Sequence, residues 1–140
     1  MNQTVAAESP LVPVSWGELI DKVTILEIKQ TQISSPEALS NVRYELAALS
    51  NPVDPVLTSI PGIRRLKDKL TEINQKLWDI EDAIRQKEAL KAFDEEFIEL
   101  ARSVYKTNDI RAAIKREINK AMNSTLTEEK SYRSPESVIQ

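Results

Sequence analysis

The chain has 140 residues, of which 41% are hydrophobic and 29% are charged, and its formal net charge is -3. This size and balance predict a single folded domain, and the acidic excess argues against a general nucleic-acid binder, which normally carries basic residues in excess. The absence of cysteine and histidine excludes a disulfide framework, thiolate and Ser/His nucleophiles, and nearly all zinc sites.

The first predicted helix follows an N-terminal arm, residues 1–13, which we predict to be flexible. Ser15 is a preferred N-cap residue, and Glu18 follows three residues later, so the two form a capping-box pattern. Apolar residues at helical spacing continue to about Ile33 and cover much of the helix circumference, which predicts a largely buried helix. The charged residues of such a helix, including Glu18 and Lys22, either pair with each other at i,i+4 or find partners elsewhere in the fold.

The second predicted helix begins after Ser35 as the N-cap, with Pro36 at the first helical position. Its apolar stripe steps by three and four residues as far as Leu49. The following segment, residues 50–62, contains three prolines together with turn-forming Asn and Asp residues. We predict that this segment is a loop.

The third predicted helix, about residues 62–92, carries the strongest helical pattern in the chain. Its apolar residues step by three and four over three heptads: Ile63, Leu66, Leu70, Ile73, Leu77, Ile80 and Ile84. This is coiled-coil spacing, so we expect the helix to pack against a second helix. That second helix belongs either to the same chain, as an intramolecular hairpin, or to an antiparallel copy in a homodimer.

The homodimer hypothesis rests on charged residues beside the apolar stripe. If Ile63 occupies heptad position a, the e positions run from basic Lys67 to acidic Glu88, and Lys67 of one copy would face Glu88 of an antiparallel copy. The predicted dimer interface consists of Leu66, Lys67, Leu70, Ile73, Leu77, Ile80, Glu81, Ile84 and Glu88.

The last predicted helical region starts after Asp94, another good N-cap residue, unless the third helix continues through it. Its apolar pattern slips near Thr107 and Asn108, where a new N-cap would begin a fifth helix. Residues 95–122 therefore form either one continuous helix or two. Asn123 is predicted to end the region in a left-handed conformation.

The pattern as a whole predicts an all-α domain over residues 14–126, with four or five helices in antiparallel hairpins, followed by a mobile tail at residues 127–140. The chain has only two glycines, too few for phosphate-cradling loops or a set of hairpin turns. No apolar run is long enough to span a membrane, and the N-terminus lacks a signal-peptide pattern. We therefore predict a cytoplasmic protein that contacts neither membrane nor nucleic acid.

Polar residues in the fourth helical region form the candidate ligand-binding site. Arginine and tyrosine side by side can hold a carboxylate or phosphate, and a helix start near Asn108 would offer free N–H groups to an anion. The alternative is an ordinary surface, on which Asn108 is a cap and Asp109 pairs with Arg111 or Lys115. The candidate ligand-binding residues are Arg102, Tyr105, Asn108, Arg111 and Lys115, together with Trp16, Glu18 and Lys22 of the first helix.

No metal or cofactor site is predicted. Helical nucleotide pyrophosphohydrolases bind magnesium through two short acidic motifs on two helices. Glu96 and Glu99 match the first motif, but Glu117 is followed at the corresponding spacing by Lys120 and not by an acidic residue. Any catalysis would have to use carboxylate, Lys, Arg, Tyr, Ser or Thr side chains, because histidine and cysteine are absent.

Four stretches of the chain resemble a small bacterial family of unknown function. They are WGELIDKVTILEIK (16–29), LWDIEDAIRQKE (77–88), ARSVYKTNDIRAAIKREIN (101–119) and EEKSY (128–132). Members of that family look like stand-alone helical domains, or occur beside glycosyltransferase and helical-repeat regions. The resemblance implies a role near surface-polysaccharide or lipopolysaccharide production, with a glycosyltransferase or other protein as a partner.

These observations lead to two hypotheses about function. The first is a non-catalytic binding or scaffolding module that forms a homodimer in the cytoplasm and is linked to cell-envelope glycan synthesis. The alternative is a small enzyme or ligand-binding domain for a phosphorylated or nucleotide-linked sugar, in which the candidate residues hold the anionic group. The two hypotheses differ in whether a small anionic molecule binds in a pocket.

Overall fold

A computed structural model describes residues 8–126, 128 and 129, and over these residues the chain forms four α-helices and no strands. The helices are α1 (Trp16–Gln32), α2 (Pro36–Ser59), α3 (Ile63–Ala89) and α4 (Glu95–Ala121). The all-α prediction is confirmed, with four helices. Much of the predicted flexible arm and nearly all of the predicted mobile tail lie outside the described residues.

Helix α1 is the central element of the fold. It begins as predicted, because the Ser15 hydroxyl accepts a hydrogen bond from the Glu18 N–H at 3.1 Å. The helix contacts α2, α3 and α4. Its buried residues lie on most of its circumference: Gly17, Ile20, Asp21, Val23, Thr24, Leu26 and Ile28. A helix surrounded in this way requires partners for every polar group on its inner faces.

Helix α2 is longer than the sequence pattern suggested, and the predicted loop at residues 50–62 is wrong for most of its length. The helix continues through Pro52 and Pro55 to Ser59. Each proline lacks an N–H group and leaves a carbonyl four residues earlier without its helical partner. Both prolines lie on the exposed side, where water can hydrate those carbonyls, whereas Val53 between them is fully buried in the core. Burial of Val53, together with Val56 and Leu57 packed against the same core, offsets part of the cost of the prolines.

Helices α3 and α4 form a long antiparallel hairpin, which is the intramolecular arrangement proposed for the heptad pattern. In α3, Ile63 and Leu70 are fully buried and belong to the core cluster that also includes Ile114 and Ile118 of α4. The predicted span of about 62–92 agrees closely with Ile63–Ala89. The homodimer stays a prediction, because this pairing occurs within one chain.

Helix α4 is continuous, so the interpretation of Thr107 or Asn108 as a new N-cap is wrong. Asp94 is the N-cap, and its carboxylate accepts a hydrogen bond from the Phe97 N–H at 3.0 Å. The helix keeps a three-and-four spacing of non-exposed residues throughout: Phe97, Leu100, Val104, Thr107, Arg111, Ile114 and Ile118. Polar Thr107 and Arg111 occupy two of these inward positions, which is why the apolar pattern seemed to slip. Thr107 is only 2% exposed.

The far part of the hairpin extends beyond the helices that bury its base. The hydrogen bonds and ion pairs described between α1 and the hairpin fall on residues 67–74 and residues 111–119. The structure describes every residue from 81 to 106, and none of these is buried. We call residues 79–99, which include the turn, the hairpin end. Among the described helices, none is both long and apolar enough to cross a lipid bilayer.

Candidate functional site

A row of polar contacts joins the first turns of α1 to the C-terminal half of α4 and to Ser124 just after it. The residue numbers of the partners increase along α1 and decrease along α4, so the two helices are antiparallel. We call this row the polar seam; its pairs are Trp16 with Ser124, Gly17 with Asn119, Glu18 with Lys115, and Asp21 with Arg111. It brings together residues about ninety to over a hundred positions apart in sequence.

The innermost pair of the polar seam is a buried ion pair. Asp21 is 1% exposed. Its two carboxylate oxygens accept hydrogen bonds from Arg111 Nε at 3.0 Å and from Arg111 Nη2 at 2.5 Å. This bidentate hydrogen bonding to Asp21 raises the pKa of Arg111, although partial burial of the guanidinium acts in the opposite direction. The Arg111 guanidinium therefore remains charged across the physiological range.

A side-chain amide on α3 completes the shell around Asp21. Asn74 Nδ2 donates to Asp21 Oδ1 at 2.9 Å and to the Thr24 hydroxyl at 2.8 Å. The Thr24 hydroxyl in turn donates to the Asp21 carbonyl at 2.6 Å. One buried carboxylate thus holds α1, α3 and α4 in a fixed register. A buried charge is tolerated only with such partners, since an unpaired one costs several kcal/mol.

Lys115 lies between two carboxylates at the outer part of the polar seam. Its ammonium donates to Glu18 at 2.7 Å and to Glu128 at 2.6 Å. Burial lowers the pKa of Lys115, but the hydrogen bonds to Glu128 and Glu18 outweigh it, so the pKa lies above its ordinary value. The same contact lowers the pKa of Glu128. The Glu18 carboxylate thus bonds to α4, and Lys22 pairs instead with Glu45 of α2 at 3.0 Å.

Gly17 allows the closest approach of α1 to α4. Its N–H donates to Asn119 Oδ1 at 2.7 Å, and the neighbouring Trp16 N–H donates to the Ser124 hydroxyl at 3.1 Å. A Cβ atom at position 17 would lie 2.5 Å from the Lys115 carbonyl oxygen. Sequence reasoning did not identify this role of Gly17. Two N–H groups at the α1 N-terminus, which have no partner within the helix, are thus satisfied by Asn119 of α4 and by Ser124 just after it.

The predicted ligand-binding residues do not form one cluster. Arg111, Lys115 and Glu18 meet in the polar seam, where each is bonded to an opposite charge. Arg102 lies nine residues before Arg111, about two and a half turns away and therefore on the opposite side of α4. It pairs with Glu99 at 2.9 Å. The remaining candidates are divided: Tyr105 is exposed, Asn108 is half-buried, Trp16 packs at the edge of the core, and Lys22 faces α2.

The predicted dimer-interface residues also have partners within the chain. Lys67 pairs with Glu27 of α1 at 2.8 Å, and Glu88 pairs with Lys91 at 3.6 Å. Glu81 pairs with Arg85 at 3.6 Å. The apolar interface residues divide into buried Leu70 and Ile80 and half-buried Leu66, Ile73, Leu77 and Ile84. An antiparallel dimer that pairs Lys67 with Glu88 would have to replace these contacts.

Residues of the polar seam lie in two of the four stretches on which the family resemblance rests, and Glu128, which bonds to Lys115 of the seam, lies in the last stretch. A family model described as a family of unknown function (DUF6165) matches residues 11–140. The chain belongs to DUF6165. No curated protein and no solved structure matches it significantly.

Two surface cavities lie beside the helices of this DUF6165 chain. One, of about 750 Å³, runs between α1, α2 and α3, where the Lys67–Glu27 pair crosses it. The other, of about 530 Å³, lies at the C-terminal end of α4 and includes Arg116 and Lys120 in its lining. Among the described residues, no buried side-chain nitrogen or oxygen lacks a hydrogen-bond partner, and no group of acidic residues is arranged to hold a metal ion.

The turn of the DUF6165 hairpin is held by several contacts. Lys91 adopts a left-handed conformation with φ of 54°, and the Ala92 N–H closes the turn by donating to the Lys87 carbonyl at 2.9 Å. The Lys87 ammonium pairs with Asp94 at 2.9 Å and with Glu96 at 3.0 Å. Hydrogen bonding to Asp94 raises the pKa of Lys87, and the same bond lowers the pKa of Asp94. The turn is therefore pre-organised.

Large apolar side chains are exposed on this turn. Leu90 is 77% exposed and Phe93 is 55% exposed, and Ile98 in the first turn of α4 is 40% exposed. The Phe93 ring packs edge-on against Phe97 at a centroid distance of 5.2 Å, which orients it. Sequence reasoning gave no role to Leu90. The signal available in the sequence was that Leu90 and Phe93 lie just before the acidic first turn of α4 and do not belong to the heptad stripe of α3.

Proposed function

We propose that this DUF6165 chain is a non-catalytic binding or scaffolding module that docks onto a protein partner through its hairpin end. The observation that carries the proposal is the exposure of Leu90 and Phe93 on a turn fixed by Lys87 and Asp94. Exposed aromatic and aliphatic side chains at the centre of a small patch are typical anchors of protein interfaces. A turn that is already ordered reduces the entropy lost on binding.

The arrangement of charge in the polar seam supports a structural rather than a catalytic role for its residues. Arg111 is bonded to Asp21, and Lys115 is bonded to Glu18 and Glu128. An anionic substrate would have to compete with these carboxylates, which are already in place. In this proposal the polar seam fixes the angle at which the hairpin leaves α1, and thereby orients the hairpin end for docking.

The cellular setting is a further part of the proposal. The family resemblance, with its association with glycosyltransferase regions, favours a role in cell-envelope glycan synthesis. Glycosyltransferases are therefore the first partners to test.

The test compares protein capture by three immobilised forms of the full chain. The forms are the wild type, the Leu90→Ser/Phe93→Ser double variant, and Tyr44→Ser as a control, because Tyr44 is also a large exposed side chain but lies on α2. We expect at least one protein from an extract of the source cells to be recovered by the wild type and the control, and to drop at least about tenfold with the double variant. Quantitative mass spectrometry measures the recovery.

The proposal fails if no captured protein depends on Leu90 and Phe93. Circular dichroism melting of each form verifies that the double variant is folded, so that lost capture reports a lost surface. A partner that is lost from Tyr44→Ser instead would place the docking surface on α2.

A second candidate function is a ligand-binding domain for a phosphorylated or nucleotide-linked sugar. The cavity at the end of α4 favours it, because Arg116 and Lys120 lie one helical turn apart in its lining. A thermal-shift panel of nucleotide sugars and sugar phosphates tests this candidate. A rise in melting temperature that disappears in Arg116→Ala/Lys120→Ala would support it, and unchanged melting at millimolar ligand would reject it for those compounds.

A further inference from the structure

We propose that the surface recognised by the hairpin end is an apolar patch bordered by lysine or arginine side chains on a different protein. This inference rests on the proposed docking function and specifies the chemistry of the partner. It also states which of two possible partners covers Leu90 and Phe93: a different protein, and not a second copy of this chain.

The first observation is the separation of charge along the chain. Residues 79–99 contain eight acidic and three basic residues, whereas the rest of the chain contains fourteen acidic and sixteen basic residues. The whole net charge of -3 is therefore the sum of a strongly acidic hairpin end and a slightly basic remainder. An acidic surface of this kind attracts and orients a basic partner.

The second observation is that the three basic residues of the hairpin end are already paired within it. Arg85 pairs with Glu81, Lys87 with Asp94 and Glu96, and Lys91 with Glu88. Positive charge in this segment is thus neutralised locally, and the excess that faces a partner is negative. Asp82 and Glu95 are among the exposed carboxylates that contribute to it.

The third observation is the position of the apolar side chains relative to those carboxylates. Leu90 and Phe93 lie on the turn, and Ile98 lies one turn into α4, with acidic residues on either side of them in sequence. An apolar centre with a charged border is the usual anatomy of a protein interface. The complementary surface therefore has an apolar centre and a basic border.

A second copy of the chain fits this surface poorly. Pairing two hairpin ends would bring together two segments that each carry five more acidic than basic residues. Like charges facing each other across an interface disfavour that pairing. A foreign surface rich in lysine or arginine gains from the same charges.

The experiment measures binding of synthetic amphipathic helical peptides to the full chain by fluorescence anisotropy. The probe peptide has leucine on one face and lysine on the other; one comparison peptide replaces every lysine by glutamate, and a second replaces every leucine by alanine. We expect the leucine/lysine peptide to bind at least about tenfold more tightly than either comparison peptide, and to weaken as salt is raised.

Variants of the chain locate the binding surface. Leu90→Ser/Phe93→Ser should weaken the leucine/lysine peptide at least about fivefold, and Tyr44→Ser should leave it unchanged. Asp82→Lys/Glu95→Lys, which leaves the apolar side chains in place, should also weaken it and should flatten the salt dependence.

Three results would overturn the inference: no binding of the leucine/lysine peptide, equal binding of the glutamate peptide, or binding that the hairpin-end variants do not change. Light scattering that gives twice the 15.9 kDa chain mass for the wild type, and the single mass for Leu90→Ser/Phe93→Ser, would overturn it in favour of a second copy. If capture still finds a partner that depends on Leu90 and Phe93, docking stands and only its chemistry is wrong; if capture finds none, docking itself is rejected.

Discussion

At the base of the α3–α4 hairpin, a buried carboxylate on Asp21 is bonded by Arg111 and Asn74, whereas at the hairpin end large apolar side chains such as Phe93 face solvent. Both regions involve the α3–α4 hairpin, and each reverses the usual placement of side chains: a charged group is buried at the base, and apolar groups are exposed at the hairpin end. At the base, charge inside the fold fixes which helices meet and in what register. At the hairpin end, apolar surface outside the fold contributes little to stability and remains available to a partner.

The largest effect is expected from Asp21→Ala, which leaves the Arg111 guanidinium and the Asn74 amide without their buried partner. We expect the free energy of unfolding to fall by about 3–5 kcal/mol, because one member of a buried ion pair has been removed. Urea denaturation measures the change. Glu99→Ala, which breaks the exposed pair with Arg102, is the matched control and should change stability by less than about 1 kcal/mol. Equal losses in the two variants would mean that burial of Asp21 does not matter.

Gly17→Ala should have the next largest effect. Alanine is the better helix former, but its Cβ would lie 2.5 Å from the Lys115 carbonyl oxygen and would push α1 away from α4. We expect a net loss of about 1–3 kcal/mol in the free energy of unfolding. Denaturation curves of the variant and the wild type give the difference, and an unchanged midpoint would contradict the close approach.

Gly62 provides a control of a different kind. Its φ of 85° is left-handed, and a Cβ added there meets nothing within 4 Å. We expect Gly62→Ala to cost about 1 kcal/mol through backbone strain, and Gly62→Asn to cost less, because asparagine adopts this conformation more readily. Gly17→Asn should show no such relief, since the cause at Gly17 is steric.

A smaller effect is expected from acid titration of the outer part of the polar seam. Lys115 lowers the pKa of Glu128 from its ordinary value of 4.5, so this contact stabilises the fold above that pH and is lost as the pH falls through the lower folded-state pKa. Glu128→Gln should therefore reduce the acid-induced loss of unfolding free energy by about 0.3–0.5 kcal/mol, since Glu128 is largely exposed. Denaturation at a series of pH values measures it. Glu129→Gln removes the same charge one residue later, and a matching effect there would argue against a specific role for Glu128.

Only a small effect on stability is expected at the hairpin end. Leu90→Ser/Phe93→Ser should lower the free energy of unfolding by less than about 1 kcal/mol, because both side chains are more than half exposed. The same variant should abolish hairpin-dependent capture of a partner. Thermal unfolding followed by circular dichroism gives the stability, and a loss as large as that of Asp21→Ala would show that these side chains hold the fold together.

Local sequence signals located most helix ends correctly. Ser15 and Asp94 cap α1 and α4 as their side-chain chemistry suggests, and Asn123 is left-handed with φ of 53° just after α4. The heptad row from Ile63 predicted α3 nearly to the residue. These signals succeed because a cap or an apolar stripe depends on neighbours within a few residues.

The same signals failed where distant contacts outweigh local preference. Three prolines with Asn and Asp predicted a loop at residues 50–62, but the helix continues to Ser59 with Val53 buried in the core. The slip of the apolar row near Thr107 and Asn108 suggested a break in α4, because nothing nearby in sequence reveals that Thr107 and Arg111 face inward. The ligand-site hypothesis named Glu18, Arg111 and Lys115, which lie together in the polar seam, but it did not foresee that Asp21 would bond to Arg111 or Glu128 to Lys115.

Sequence patterns are enough to show that this chain is helical, where α1, α2 and α3 begin, and which stripe of α3 faces a second helix, because these properties follow from hydrogen bonds and spacing within one helix. Tertiary packing is needed to bring Arg111 to the buried Asp21, to continue α2 through its prolines, and to leave Leu90 and Phe93 outside the core. Each of those outcomes depends on which surfaces are covered when helices distant in sequence pack together, and burial sets both the cost of an unpaired charge and the gain from an apolar side chain.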